Sequence, residues 1–347
     1  MSTKIVQIAK LKIGGGNPVA IQSMLNTAPT DFAAAARQIA RLKKAGCQIF
    51  RIAVPSFESI QTLAKIRKKF PDLPLVADIH FSAELAIAAA EFVDKIRINP
   101  GNFPPAQLAA IVKICRAKKI PIRVGVNSGS LEKNIPGKNL PEKLANSAIK
   151  NVRKIEKLGF RDLVVSVKSS DIGITVAANR ILAKKISYPL HLGITEAGSA
   201  KFGILKSAVG IGSLLLDGIG DTIRISLTGD PVVEIEAAKD LLRVLKLRKG
   251  VEVVSCPTCG RTEVDLPKIL SQVERAVEKI EKSLLTGRQA LKIAVMGCVV
   301  NGPGEAADAD FALVGGKEKF MIYAKGKLVG SAKEKDAVKE LMKILSK

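Results

Sequence analysis

Short β-rich runs alternate with longer stretches of helical period over the first two thirds of the chain. The runs are VAIQSM from Val19, QIFRIAV from Gln48, LPLVADIH from Leu73, KIRIN from Lys95, PIRVGVN from Pro121, LVVSVK from Leu163, LHLGIT from Leu190 and DTIRISL from Asp221. Each leads into an amphipathic segment, such as DFAAAARQIARLKKAG or PEKLANSAIKNVRKIEKLG, commonly closed by glycine. Eight βα units within about 230 residues imply an α/β fold with a parallel sheet closed into a (β/α)8 TIM-type barrel over residues 1–248. An open doubly wound sheet is the alternative. It would more often carry a glycine-rich first βα turn, whereas Gly14, Gly15 and Gly16 precede the first strand here. A second pattern starts near Gly250. The strand-like VEVVS, a helix-period segment from Leu266 to Leu285 and the strand-like LKIAVM predict a smaller α/β domain over 249–347.

The barrel reading has a sharp consequence, because side chains two apart on a strand face the same way and a plain barrel fills its interior with Val, Ile and Leu. Instead, polar residues stand near the C-terminal ends of nearly every strand: Arg51; Asp78 and His80; Arg97 and Asn99; Arg123 and Asn127; Ser166 and Lys168; His191 and, beyond its strand, Glu196; Arg224 and Ser226. Any one of them is explained by an ordinary ion pair. The whole set is not, since burying so many polar groups is costly unless they bind something. Arginine forks pair bidentately with phosphate oxygens, so the mouth suits a ligand with two phosphates better than a neutral sugar.

Composition agrees with a packed globular chain: 47% hydrophobic and 25% charged residues, with a mean hydropathy of +0.19. No apolar run approaches the roughly 18 residues needed to cross a bilayer, and the N-terminus has neither an apolar leader nor an Arg/Ser-rich presequence, so a cytoplasmic protein without a membrane segment is expected. The net charge is +23. Residues 251–347 hold 16 basic and 13 acidic side chains, so +20 lies in residues 1–250. A lysine-rich solvated surface accounts for much of it, and the remainder attracts anions. Nucleic acid is disfavoured as a partner: Trp is absent, Tyr occurs twice, and basic and aromatic residues are not interleaved.

Two predicted strand ends in the smaller domain deliver cysteines. Cys256-Pro-Thr-Cys259 has chelate spacing, and Cys298 opens the turn Cys298-Val-Val-Asn301-Gly-Pro-Gly-Glu305. A disulfide is disfavoured in a cytosolic chain. Structural zinc wants four Cys or His ligands, and this half of the chain has no His and no fourth Cys. Three thiolates suit a 4Fe-4S cluster whose remaining iron is held by an exchangeable group, for which Glu305 is the nearest candidate. A thioredoxin-type redox pair would leave Cys298 unexplained. Cys47, just before a strand, and Cys115, on a helix's apolar stripe, are expected in the core.

The segments QSMLNT at Gln22, VADIHF at Val76, RINPGN at Arg97, RVGVNSGSL at Arg123, SVKSSD at Ser166, PLHLGITEAG at Pro189, GIGDTIRISLTGDP at Gly218, SCPTCGRTEVDL at Ser255 and MGCVVNGPGEA at Met296 closely resemble the GcpE family of 4-hydroxy-3-methylbut-2-en-1-yl diphosphate synthases. They run in order through both domains. The resemblance implies the bacterial two-domain form, a barrel followed by a sulfite-reductase-like iron-sulfur domain. It implies an oxidoreductase of isoprene biosynthesis (the methylerythritol phosphate pathway) that opens 2-C-methyl-D-erythritol 2,4-cyclodiphosphate and reductively removes a hydroxyl. It further implies a 4Fe-4S cluster on Cys256, Cys259, Cys298 and Glu305, with Glu196 as an acid near the reacting oxygens and Asn301 on the cluster side of the substrate. Arg51, Arg97, Arg123, Lys168, Arg224 and Ser226 become the diphosphate clamp, with Asp78, His80, Asn99, Asn127 and His191 as further substrate contacts. A homodimer, and flavodoxin or ferredoxin as electron donor, follow from the same resemblance. Leu25, Asn179 and DFALVGG from Asp310 depart from the family's usual pattern. Two rival readings are a zinc protein binding RNA and a radical enzyme of S-adenosylmethionine type. The latter usually carries its three cysteines in one short loop.

Overall fold

The computed structural model describes residues 3–132, 134–284, 290–300, 302–317 and 319–345. The chain divides into two compact units, Met1–Leu245 and Lys246–Lys347.

The first unit opens with an antiparallel hairpin, β1 (Val6–Ile8) and β2 (Leu11–Ile13), which the sequence reading did not anticipate. The eight expected strands follow: β3 (Ala20–Met24), β4 (Ile49–Ala53), β5 (Leu75–Asp78), β6 (Lys95–Ile98), β7 (Ile122–Asn127), β8 (Leu163–Lys168), β9 (His191–Leu192) and β10 (Thr222–Ile223). Between and after them run α1 (Phe32–Ala45), α2 (Phe57–Lys69), α3 (Ala83–Ala89), α4 (Pro105–Lys118), α5 (Leu140–Lys157), α6 (Ile172–Ala183), α7 (Ala200–Leu216) and α8 (Pro231–Val244). All neighbouring strand pairs are parallel in the order β8-β7-β6-β5-β4-β3-β10-β9, and a parallel bridge between Val165 and Leu190 joins the two ends into a ring. This is the TIM-type barrel. Side chains entering the helices fix several of the βα joints: Asp31, Ser82, Asn139, Asp171 and Asp230 each accept a backbone N–H at their helix's start.

The outer core lies between strands and helices and includes Ile21, Phe50, Ile96, Ile122 and Val165, with Cys47 and Cys115 buried in it as expected. Inside the barrel only one end is apolar. There Ala20, Ile49, Val76 and Val164 pack against Val6, Ile8 and Ile13 of the hairpin, which plugs the N-terminal end of the strands. Two of the departures from the family pattern are also structural: Leu25 is in the core, and buried Asn179 on α6 donates to the Val167 and Thr175 carbonyls.

The second unit is a five-stranded sheet in the order β11 (Gly250–Ser255), β12 (Ala290–Met296), β13 (Phe311–Gly315), β14 (Phe320–Ala324) and β15 (Lys327–Ala332), parallel across the first three and antiparallel thereafter. Leu266, Ile269 and Val273 of α9 (Leu266–Leu284) and Ala337 and Leu341 of α11 (Glu334–Leu345) share a core with Ile293, Leu313 and Ile322. Ala306 of α10 (Gly302–Ala307) packs with Ala294, Met296 and Ala312. Among the described residues, no helix is long and apolar enough to cross a membrane.

Candidate active site

Register decides what the barrel holds above its apolar plug, because partners across a parallel ladder face the same way. Val76 stands beside Lys95, Asp78 beside Arg97, Arg97 beside Arg123, Met24 beside Arg51, Asn127 beside Lys168 and His191 beside Thr222. Val76 and Ile49 belong to the interior plug, so residues two further along their own strands, Asp78 and Arg51, also point inward. The interior therefore changes from aliphatic to ionic within one strand repeat.

Asp78 organises one side of the mouth. Its carboxylate accepts from Arg51 at 2.7 Å and from Arg97 at 3.2 Å. Burial alone would raise the Asp78 pKa, but Arg51 and Arg97 outweigh it and hold the carboxyl well below the usual range. Arg97 Nη1 also lies 2.8 Å from Nε2 of His80, and a guanidinium only donates, so Nε2 is the acceptor there. The 3.4 Å approach of the same nitrogen to Asp78 is then no ion pair. His80 itself is exposed at the rim.

The opposite side is arranged differently. Lys168 Nζ lies 3.2 Å from Nε2 of His191, whose Nδ1 is 2.8 Å from the Thr222 hydroxyl. A charged Lys168 makes Nε2 the acceptor and leaves the Nδ1–H to donate to Thr222. Burial, reinforced by Lys168 and Arg123, pushes His191 well down and keeps it neutral. Burial, then Arg123 and Arg224, likewise lowers Lys168. Arg224 reaches Glu234 of α8 at 3.6 Å, and Glu234 also accepts from Ser23 and from the Leu227 backbone. Arg123, only 2% exposed, makes no ion pair among the described residues, and its Nε and Nη1 are buried without a hydrogen-bond partner there.

Two glycines make room for these cations. A methyl group on Gly125 would lie 2.6 Å from Arg97 Nε, and one on Gly193 would lie 2.5 Å from Lys168 Nζ. The three atoms nearest to the Gly125 methyl all belong to the Arg97 side chain, so we expect Gly125→Ala to fold normally while displacing the guanidinium. Loss of one charge-assisted contact, roughly 1.5–3 kcal/mol, corresponds to a substrate KM raised about ten- to a hundredfold. Steady-state kinetics beside a thermal melt checks this, and an unchanged KM removes Arg97 from the site.

Not every expected residue lines the interior as a free donor. Asn99 is buried, but its Oδ1 accepts from the Gly101 N–H and lies 3.5 Å from Asn151 Nδ2, so it shapes the turn after β6. Asn127 ends β7 half-buried, and Ser226 is half-buried on the loop after β10. Glu196 is exposed on the turn after β9 with φ 53°, a left-handed backbone uncommon for a non-glycine residue. The sequence reading missed Gln22, Thr222, Glu234 and Lys95. Lys95 had a signal, since it precedes Arg97 by two on the same strand. Glu234 had none, because it comes from a helix.

In the second unit the register Ser255↔Val295 brings the end of β11 beside the end of β12. The Gly297 N–H donates to Cys256 Sγ at 3.2 Å, the Glu263 N–H to the Gly297 carbonyl and the Thr262 N–H to the Cys259 carbonyl. These bonds tie the Cys256–Cys259 loop to the turn bearing Cys298. Cys298 is buried, Cys256 half-buried and Cys259 exposed. Glu305, on α10 rather than in an open turn, lines with Cys256, Met296 and Val300 a hollow of about 610 Å³, and lies 3.8 Å from Lys292. Among the described residues, no three Cys, His, Asp or Glu side chains stand as a metal-holding group. The thiols are gathered by the backbone, in a donor set that suits iron-sulfur chemistry, without being closed into a ligand sphere. Asn301 lies outside the described residues.

The profile of the GcpE TIM-barrel domain matches residues 3–239, and that of the GcpE protein C-terminal domain matches residues 252–347. The chain belongs to the GcpE family. It is 49% identical over 351 aligned residues to the "4-hydroxy-3-methylbut-2-en-1-yl diphosphate synthase (flavodoxin)" of Caldanaerobacter subterraneus, covering 99% of this chain and 97% of that protein. The proteins of the same name from Fusobacterium nucleatum and Clostridium perfringens are each 47% identical, with 99% of this chain and 97% and 98% of theirs covered. Outside the family, the dihydropteroate synthase of Stenotrophomonas maltophilia superposes with a TM-score of 0.54 at 13% identity, covering 70% of this chain and 98% of that one. That likeness concerns the barrel fold alone.

Proposed function

We propose that this protein is a 4-hydroxy-3-methylbut-2-en-1-yl diphosphate synthase, which opens 2-C-methyl-D-erythritol 2,4-cyclodiphosphate and reduces it with two electrons and two protons, releasing water. The observation that carries the reading is the imbalance inside the barrel. Six inward basic side chains, Arg51, Lys95, Arg97, Arg123, Lys168 and Arg224, face two buried carboxylates, Asp78 and Glu234. Buried donors on Arg51, Arg97, Arg123 and Arg224 lack hydrogen-bond partners among the described residues. Such donors are costly until an anion accepts from them.

On this reading the arginines and Lys168 take the two phosphates, while Asp78 holds Arg51 and Arg97 in place before the ligand arrives. Preorganised cations spend the binding energy of the phosphates on aligning the carbon–oxygen bonds to be broken. Asn127, His80 and Ser226 complete the rim, and Asn99 contributes by holding its turn. His191, neutral and fixed by Thr222, accepts or donates hydrogen bonds without adding charge. We assign to Glu196 the proton for the departing hydroxyl, since the turn after β9 holds it exposed at the C-terminal end of the barrel strands. Cys256, Cys259, Cys298 and Glu305 would hold a 4Fe-4S cluster, which supplies the electrons when bound, and Asn301 is placed by its motif beside it. A flavodoxin or ferredoxin donor, a homodimeric assembly and a cytoplasmic location belong to the same proposal.

Anaerobic turnover of the cyclodiphosphate with dithionite and a mediator tests it, together with metal analysis. Iron and sulfide in about a 1:1 ratio are expected; stoichiometric zinc without iron overturns the reading. Glu305→Ala is expected to retain iron while losing turnover. Full activity in that variant removes Glu305 from the chemistry.

A further inference from the structure

Among the inward basic side chains named above, Lys95 alone was singled out neither by the family pattern nor by the strand-end reading. It sits on β6 two residues before Arg97, on the same inward face and one tier nearer the apolar plug, and is 0% exposed. Among the described residues, no carboxylate is paired with it. It donates to Gln22 Oε1 at 3.5 Å, a long contact, and the Nε2 of that amide is itself buried without a partner among the described residues. A lysine placed for stability alone would have a carboxylate, or would be Met or Leu, as is usual for a barrel layer.

We infer that Lys95, with Gln22 beside it, forms the floor of the diphosphate-binding cup and is a further anion-binding residue of this site. The inference rests on the reading of the mouth as a diphosphate site. The groups facing Lys95 are Arg51 from β4, Arg123 from β7, His191 from β9 and Gln22 from β3. Burial, then Arg123 and Arg51, pushes its pKa well down, so the empty site favours the neutral amine. Entry of a phosphate reverses that balance, and Lys95 takes a proton from solvent as the anion binds. The floor thus gains its charge only when there is something to hold.

The test is calorimetric titration of the full chain with inorganic pyrophosphate, in two buffers of different ionisation enthalpy, for the wild type and Lys95→Met. Wild type is expected to bind with net proton uptake. Lys95→Met is expected to bind about ten- to a hundredfold more weakly, to take up fewer protons, and to melt at a higher temperature without anion because an unpaired buried amine has gone. Equal affinity and equal uptake in the variant overturn the inference while leaving the diphosphate site standing. So does a variant that melts lower or fails to fold, which assigns Lys95 to structure. A wild type that binds no pyrophosphate overturns the diphosphate reading itself.

Discussion

Asp78→Asn is expected to destabilise the barrel by about 3–5 kcal/mol, because it leaves Arg51 and Arg97 buried beside a neutral amide. A wild-type interior in which basic side chains far outnumber the two carboxylates tolerates the loss of either anion poorly. The same substitution lets both guanidinium groups drift, so substrate KM rises with it. Pyrophosphate at saturating concentration restores part of the lost stability, since it supplies the missing negative charge and binds only the folded form. The pH dependence separates charge from shape. The Asp78 carboxyl is held below its unfolded pKa of about 3.9, so its contribution is complete above that pH and is lost as pH falls through the lower folded value. Thermal melts between pH 3 and 7 should therefore fall less steeply for the variant than for the wild type. Parallel curves would mean that Asp78 does not carry the charge assigned to it.

Arg123→Met is expected to move stability and function in opposite directions. The guanidinium is fully buried; burial first, then Arg51 and Arg97, lowers its pKa, with only Asp78 opposing. Arginine keeps its proton at ordinary pH, so the cost appears as lost stability rather than lost charge. Replacing it with a similarly long apolar side chain raises the melting temperature of the ligand-free protein. The same change removes up to two phosphate contacts at roughly 1.5–3 kcal/mol each, so affinity for the cyclodiphosphate falls by about a hundredfold or more. Melting scans and ligand titration check the two halves independently. A variant both less stable and equally tight in binding would show Arg123 to be structural.

How far the chain could be read without coordinates depended on the range of the signal. Each barrel strand carries its own period, so all eight were legible, and the alternation of side chains put Arg51, Asp78, Arg97, Arg123 and Lys168 on the inner face before any pairing was known. Cys256 and Cys259 share a local spacing and were equally visible. The hairpin at Val6–Ile13 was missed because two three-residue strands are too short to show a period, and their role as a plug depends on Ala20, Ile49, Val76 and Val164, which come from four different strands. Lys95 was passed over for the complementary reason: its position announced an inward side chain, but a lysine stem can lie along apolar surface with its head in water. Its isolation from any carboxylate is a fact about Arg51, Arg123 and Gln22.

Local order along the chain thus specified the barrel, its inward cations and the sulfur motifs, since periodicity and spacing are properties of neighbouring residues. Pairing was settled in three dimensions. Asp78 holds two arginines from β4 and β6, Glu234 answers Arg224 from a helix, and Glu305 stands on α10 within reach of Lys292. Charge balance at a point depends on which segments meet there, and ladder register and helix packing set that meeting, neither of which is encoded in any single stretch of residues.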